Sequence, residues 1–479
     1  MLKLHIKKRI FTTSLLPFLT IIFLFLFLSI NLNAQVLTRV VGKEDSFDKY
    51  LPFPLENEPV MISQSKIDPS RTLEQDRLDG RQIPRFAIDY EVSYGVKNGT
   101  WTDYEDFSVW KIGFDAPYAK SLSFMFEGFQ IPKEAEMYIY SEESRMIQGP
   151  ITMEAVTKGI FTSDIIERTG KVKIAIVCKD KSKEIALKIS KIAQGIQTNF
   201  DRAWTDAGDC NYDVNCAIGS AWTLQRDAVG MIAVGMIGLC SGSLINNQCQ
   251  DLTPNFLTAF HCLGNNPGIN MSNWVVRFNY QSASPTCPGN TAGQEPLTAT
   301  WVTRNGATLR ASSTLSDFAL LLLNGGLVGN NPIESGLALA GWDRSTTPAS
   351  SSFCIHHPAA DAKKISFDND AAILRNDGGF NEWMVDDWEF GNTESGSSGS
   401  PLFNQMGRIV GQDHRPDSSQ NVGICGDPKG TRFGRFDVSW TGAGTSATRL
   451  SDWLGGGSPP TTVNGIRTPS LSPAPTMPP

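Results

Sequence analysis

Gly396-Ser397-Ser398-Gly399-Ser400-Pro401-Leu402-Phe403 lies late in a chain of 479 residues, and two upstream stretches give it meaning. Leu257-Thr258-Ala259-Phe260-His261-Cys262 supplies a histidine, and Ser316-Asp317-Phe318-Ala319-Leu320-Leu321 supplies an aspartate at the head of an apolar run. The chain order is therefore His, Asp, Ser. α/β-Hydrolases run Ser, Asp, His and subtilisins Asp, His, Ser, so neither of those architectures fits.

Around these motifs, from about Ala203 to Leu454, the chain is turn-rich, with apolar runs at Met231 to Leu239, Trp274 to Tyr280 and Phe318 to Leu323. Long helical periodicities are few, the last candidate being Ala447 to Leu454. The pattern predicts an all-β double barrel closed by a C-terminal helix. Upstream, from Gln35 to about Arg202, short alternating runs such as Ser121-Leu122-Ser123-Phe124-Met125-Phe126 and Glu136-Met137-Tyr138-Ile139-Tyr140 stand between turns. Period-two alternation means strands with one buried face, hence a β-sandwich. Its end reads as a strand, Val172 to Val177, followed by a basic segment with helical character up to Ile196. Arg202 or a neighbour offers a processing site. The expected organisation is a signal peptide over 1–34, a β-rich region over 35–202, a barrel domain over 203–455 and a Pro/Ser/Thr-rich tail over 456–479 that cannot bury a core and is expected to be disordered.

A net charge of -7 disfavours nucleic acid as the main partner, because phosphate binding needs concentrated Lys and Arg. The positive charge that does cluster is N-terminal. Lys3, Lys7, Lys8 and Arg9 precede an apolar run from Phe18 to Ile30 that leads into Leu32-Asn33-Ala34, the pattern of an export signal cleaved after Ala34 and leaving no stable membrane anchor. Export permits disulfides, and eight of the nine cysteines fall beyond residue 200, with Cys178 alone before it. No CxxC pair occurs, so zinc and thioredoxin chemistry lack their ligand spacing, and neither metal nor cofactor is expected.

Acyl transfer needs a nucleophile, a base to take its proton, and donors for the oxyanion. Ser398 fits the first role. His261 is the best base among five histidines, following an apolar run that would hold it in place. Asp317 would orient the imidazole and stabilise its charged form. The backbone N–H groups of Gly396 and Ser398 would form the oxyanion hole, and Gly399 would relieve crowding behind the nucleophile. Each motif alone has a bland reading: a core histidine, an aspartate capping a turn, a Gly/Ser-rich loop. Their coincidence in one order is what carries weight.

The segment from Cys210 to Leu454 resembles the lysyl endopeptidases, secreted bacterial members of the chymotrypsin-like superfamily. Besides the three motifs, the resemblance rests on Gly341-Trp342-Asp343-Arg344, Ile355-His356-His357-Pro358, Lys363-Lys364-Ile365-Ser366, Gly434-Arg435-Phe436 with Ser439-Trp440, and Arg449-Leu450-Ser451-Asp452-Trp453-Leu454. It implies a chymotrypsin-like double β-barrel and a monomeric secreted serine endopeptidase acting on polypeptides. The N-terminal sandwich is similar to the pro-regions of such enzymes, which implies an intramolecular chaperone and inhibitor. By the same likeness the bridges would be Cys210–Cys425, Cys216–Cys287 and Cys240–Cys262, and the two cysteines left over suggest a fourth, Cys249–Cys354.

Two departures follow. Vertebrate digestive members carry an Asp before the nucleophile, which pairs with a newly freed N-terminus; this chain has Ser397, so latency is expected to come from the pro-region. In lysyl endopeptidases an Asp two residues before an aromatic-Gly-Arg sequence pairs with the substrate lysine, and here that position is Thr431. His414 keeps the family's histidine, but Arg415 stands where a Gly normally leaves room. With His414, Arg415 and Thr431 as pocket candidates, the expectation is weak lysine preference, with small, polar or acidic residues favoured, unless Asp413 or Asp427 restores the charge. The competing reading is a catalytically silent, protease-shaped binding or adhesin protein that keeps its N-terminal β module.

Overall fold

The alternating runs of the N-terminal half become strands of two facing sheets. The computed structural model describes residues 35–81, 83, 85–179, 183–196, 207–264, 266–283, 285, 287, 300–324, 336–417 and 430–468. The sandwich strands are β1 (Gln35–Val40), β2 (Met61–Ser63), β3 (Ala87–Gly95), β4 (Thr100–Asp103), β5 (Ser108–Asp115) and β6 (Ser121–Gln130). They continue with β7 (Ala135–Ser141), β8 (Met146–Ile151), β9 (Phe161–Thr162), β10 (Ile166–Glu167), β11 (Lys171–Cys178) and β12 (Ala186–Gly195). One face has the order β1-β8-β7-β11-β5-β2 and the other β10-β6-β12-β3. Ile112, Phe114, Ile174 and Ile176 of the first meet Phe124, Phe126, Ile189 and Ile192 of the second in one core.

The next strands are β13 (Tyr212–Asp213), β14 (Val229–Val234), β15 (Gly238–Leu244), β16 (Asn255–Ala259), β17 (Val275–Phe278), β18 (Thr300–Asn305), β19 (Ala307–Ser313) and β20 (Phe318–Leu323). From β14 onward their order is β19-β20-β16-β15-β14-β17-β18. The two ends of this path are one continuous chain bent at Gly306, whose φ of 74° suits a residue without Cβ. The corner closes the barrel. In the last third come β21 (Ala338–Leu339), β22 (Gly341–Asp343), β23 (Ser352–His356), β24 (Lys364–Asp368), β25 (Ile373–Asp377), β26 (Phe380–Val385), β27 (Pro401–Asn404), β28 (Arg408–Pro416) and β29 (Thr431–Arg435). Most of them form a second sheet in the order β13-β24-β23-β27-β28-β29-β26-β25. Leu257 and Phe318 of the first barrel meet Ile355, Phe403 and Trp440 of this second half in a shared core. The fold is the expected all-β, chymotrypsin-like one, preceded by a sandwich.

Several expectations are corrected. The basic segment before Ile196 is strand β12, not helix: Leu187, Ile189 and Ile192 face inward, while Lys188 and Lys191 reach Glu127, Asp89 and Glu91. The C-terminal helix is shorter than Ala447 to Leu454, covering Ser451–Leu454 only. The described part of the tail, 456–468, is ordered. Within it, β30 (Thr462–Val463) pairs with β22 and β31 (Ile466–Arg467) with β21, so the barrel domain does not stop at residue 455.

Nor is the sandwich separate. β1 pairs with both β8 and β18, which makes sandwich and first barrel parts of one sheet. The predicted signal over 1–34, Arg202 and the end of the tail lie outside the described residues.

Candidate active site

His261 follows β16, on a short 3-10 turn, and Asp317 immediately precedes β20, the strand paired with β16. This pairing brings the two residues together across 56 positions of sequence. His261 Nδ1 is 2.7 Å from Asp317 Oδ2, and the His261 backbone N–H donates to Asp317 Oδ1 at 2.9 Å. Asp317 adopts a φ of 53°, and its turn is held from outside: Gln412 Nε2 donates to the Ser316 carbonyl at 2.5 Å, and Ser316 Oγ is 2.8 Å from Ser439 Oγ. Both catalytic candidates are buried. Burial disfavours the imidazolium, but Asp317, through its charge and hydrogen bond, and Asp413, through its charge, together raise the His261 pKa above its ordinary 6.5. The Cys240–Cys262 bridge ties the residue after His261 to β15.

Ser398 lies on the loop before β27 and is partly exposed. Its carbonyl accepts from the Ser241 N–H of β15 at 2.9 Å, which seats the loop beside the histidine turn. Gly399 has a φ of 83°, and a Cβ there would meet Thr258 Oγ1 at 2.4 Å and the Ser241 carbonyl at 2.6 Å, so glycine is required at this close approach. Along the loop, the N–H groups of Ser397, Gly399 and Ser400 donate to the carbonyls of Glu394, Asp413 and Ser397. Those of Gly396 and Ser398 donate to no acceptor among the described residues. They are the two that the sequence singled out as oxyanion donors.

Two histidines unused by the sequence argument hold this loop. His356 Nδ1 lies 2.7 Å from Ser397 Oγ and its Nε2 3.1 Å from Ser366 Oγ, while Ser397 Oγ also accepts from the Glu394 N–H. Burial, assisted by the charge of Lys364, pushes the His356 pKa down to about 3, so this imidazole is neutral. The His357 N–H donates to Ser241 Oγ at 3.0 Å, and that hydroxyl donates to the Gly396 carbonyl at 2.9 Å. Only the Ile-His-His-Pro motif hinted at them.

The pocket candidates diverge. His414 comes close to the pair, its ring centroid 6.1 Å from that of His261 and its Nε2 3.9 Å from Asp317 Oδ2. Its Nδ1 is 2.5 Å from Glu382 Oε1, and Arg415 Nη2 is 2.9 Å from Glu382 Oε2. Glu382 was missed in the sequence. It is fully buried, and although burial raises its pKa, the hydrogen bonds from His414 and Arg415 bring it down to about 2. Thr431 is buried and spent on hydrogen bonds, accepting from Trp388 Nε1 at 3.0 Å and lying 2.7 Å from Thr393 Oγ1. The main chain of Asp413 pairs with that of Gly399 and Ser400; burial pushes its side-chain pKa up to about 7, with His261 opposing and Asp317 reinforcing the shift.

Of the four expected bridges, Cys216–Cys287 and Cys240–Cys262 are present. Cys210 is disulfide-bonded, and its expected partner Cys425, like Asp427, lies outside the described residues. The fourth, Cys249–Cys354, does not form. Cys249 is an exposed thiol in the turn after β15, whereas Cys354 is buried in β23 with its Sγ 3.1 Å from Ser400 Oγ.

Residues 204–421 match the family described as lysyl endopeptidase, C-terminal domain. A lysyl endopeptidase of Pseudomonas aeruginosa is 25% identical over 265 residues, covering 52% of this chain and 54% of that protein, so the chain spans about half the length of this relative. Among solved structures, the inactive form of Rv3671c from M. tuberculosis H37Rv aligns at a TM-score of 0.28 and 13% identity, over 46% of this chain and 86% of its own. A serine endoprotease from Yersinia pestis aligns at 0.28 and 16%, over 47% and 64%. The fold rests on the strand order above, not on these two likenesses. In sequence, the matched segment is lysyl endopeptidase-like and of the serine protease kind.

Proposed function

We propose that this chain is a secreted serine endopeptidase that cleaves peptide bonds through an acyl-enzyme. Ser398 attacks the scissile carbonyl, His261 takes its proton and later returns it to the leaving amine, and Asp317 holds the imidazole in the tautomer that presents Nε2 to the serine. The developing oxyanion is received by the N–H groups of Gly396 and Ser398; losing one such donor costs about 2.7–4 kcal/mol of transition-state stabilisation. The observation that carries the reading is the 2.7 Å contact of His261 Nδ1 with a buried Asp317 beside a loop that keeps those two N–H groups unspent. Disulfides fit an extracellular protein, and the charged and apolar N-terminus supports export. A fluorophosphonate tests the assignment: it is expected to modify Ser398 in wild-type protein and leave Ser398→Ala unmodified. Absence of labelling together with absence of peptidase activity favours the silent binding protein instead.

The preference at the cut bond, in this reading, lies away from lysine. Thr431 is neutral and hydrogen-bonded, Glu382 is already engaged by Arg415 and His414, and the shift of Asp413 toward neutrality weakens it as a counter-charge. A buried ammonium without a carboxylate costs several kcal/mol. Profiling of peptides released from a denatured protein mixture is expected to give small, polar or acidic residues before the cut. Strict cutting after lysine refutes this and assigns the charge to Asp413 or Asp427, each testable as the Asn variant.

A further inference from the structure

Along a regular strand neighbouring side chains point to opposite faces, so His414 and Arg415 of β28 should diverge. They do not. The pairing of β28 with β29 slips by one residue between Asp413 and Arg415, and a bulge of this kind turns two consecutive side chains toward one side. Both then meet one acceptor on β26. His414 Nδ1 lies 2.5 Å from Glu382 Oε1, and Arg415 places Nε 3.2 Å from Oε1 and Nη2 2.9 Å from Oε2. Arg432 Nη1 is 3.4 Å from the same Oε2, and its Nε is taken up by Asp417 at 2.5 Å.

The pair of Arg415 with Glu382 is lopsided. The arginine side chain is 39% exposed and the glutamate side chain 0%, so an approaching chain meets the cation and not its counter-charge. Two of the three guanidinium nitrogens are spent on Glu382; Nη1 makes no hydrogen bond among the described residues. The guanidinium also lies over the Phe380 ring, 5.7 Å from its centroid, and that ring packs against His414 at 4.9 Å. Two hydrogen bonds and a ring face thus fix the group in advance, which leaves little side-chain entropy to lose when an anion binds.

The cation stands near the reacting groups. β27 pairs with β28 no further than Gln412, and Asp413 exchanges main-chain bonds with Gly399 and Ser400, the residues after Ser398. From His414 onward that edge of β28 has no strand partner among the described residues, so an extended peptide passing Ser398 has main chain to pair with. From His261 the rings of His414 and Phe380 follow at 6.1 and 4.9 Å, with the Arg415 guanidinium over the second ring. At about 3.3 Å per extended residue, such steps correspond to roughly two to four residues of substrate. We infer that Arg415 selects substrates with an Asp or Glu side chain roughly two to four residues before the cut bond, its free Nη1 taking the carboxylate. This rests on the serine endopeptidase reading above, which sets the pocket candidates on the side before the cut. The same charge disfavours Lys or Arg at that position.

Two measurements keep the site and the chemistry apart. With Ser398→Ala protein, dye-labelled alanine hexapeptides carrying one glutamate at successive positions, and their glutamine counterparts, are titrated by fluorescence anisotropy. Glutamate is expected to bind about 10-fold more tightly than glutamine at one position, an advantage that shrinks as salt is raised. Arg415→Gln in the same background should erase the difference, and Arg415→Glu should turn it in favour of lysine peptides. With wild-type protein, kcat/KM for the same pairs, with cleavage positions read by mass, is expected to show the same preference on the N-terminal side of the cut. Equal affinity for glutamate and glutamine peptides in the parent, a ratio that survives Arg415→Gln in folded protein, or a preference confined to residues after the cut overturns the inference. Absence of both turnover and fluorophosphonate labelling in wild-type protein overturns the protease reading instead, while the anisotropy titration still decides the carboxylate site.

Discussion

His356 Nδ1 lies 2.7 Å from Ser397 Oγ, so the residue before the proposed nucleophile Ser398 is tied to a buried neutral imidazole. A hydroxyl in this place can be satisfied from within the fold, with no freed ammonium required. The shape of the nucleophile loop is thereby set by packing that exists before any cut. His356→Ala is expected to lower kcat about 10- to 100-fold while leaving the acid limb of the pH profile where it was. A wild-type rate in that variant would remove His356 from its positioning role. Ser397→Ala strands the imidazole nitrogen, and a loss of about 1–3 kcal/mol in stability is expected by chemical denaturation.

Ser398→Ala, His261→Ala and Asp317→Asn are each expected to reduce kcat by about 10⁴-fold or more, with losses that do not add in the double variants. Circular dichroism should remain that of the parent. Substantial turnover by purified Ser398→Ala would refute the nucleophile assignment.

The pH dependence has two parts of opposite sense. With His261 as the proposed base, activity requires the neutral imidazole; its pKa is raised above 6.5, so activity is expected to fall as pH drops through a midpoint above that value. Asp413→Asn removes one contributor and should move the midpoint down. Stability behaves differently: Asp413 is pushed up to about 7 from an unfolded value near 3.9. Between those limits the native state holds a proton that the unfolded chain has released, so this group costs stability as pH rises through the window. In an inactive Ser398→Ala background, Asp413→Leu is expected to raise Tm relative to its parent more at pH 8 than at pH 4.5. An equal shift at both values would mean that the carboxyl does not titrate there.

How far the sequence reaches differs by feature. The His261–Asp317 pair was legible because their short motifs stand in one chain order with that of Ser398, and strand pairing then brings the two together. The supports were not: Ser241 and His357 meet across 116 positions, and Glu382 carries no motif. Pairing Cys249 with Cys354 by elimination failed because one thiol is exposed and the other lies in a core strand. The run at Met231 to Val234 disclosed apolar character without disclosing that it serves two cores, Ile232 and Val234 in the barrel and Met231 and Ala233 against the sandwich. Composition misled on the tail, where Val463 takes a place opposite Trp342.

That tail supplies another test. Besides its strand pairs, Arg467 Nη1 is 2.6 Å from Asp227 and Arg408 binds Asn464. Ending the chain after Leu454 uncovers Trp342 and Leu339 and leaves Asp227 with Arg226 alone, so a truncated Ser398→Ala protein is expected to lose several °C in Tm. Ending it after Thr468 should change Tm little. Equal stability of the two would mean that the hairpin contributes nothing.

The contact of Thr303 Oγ1 with the Val36 carbonyl spans 267 residues. During synthesis β1 is the first of these strands to appear, yet its partner β18 arrives only after the whole sandwich and most of the first barrel have been made. Until then β1 is an edge strand with unpaired main-chain groups, closed on one side by β8 alone. Such a distant closure is slow, because its loop entropy is met before any contact returns it. The waiting edge is a place where an unfinished chain can pair with another copy, and quick completion of the barrel protects against that. Refolding of the full chain should accordingly be limited by docking of β18, and yield should fall with protein concentration.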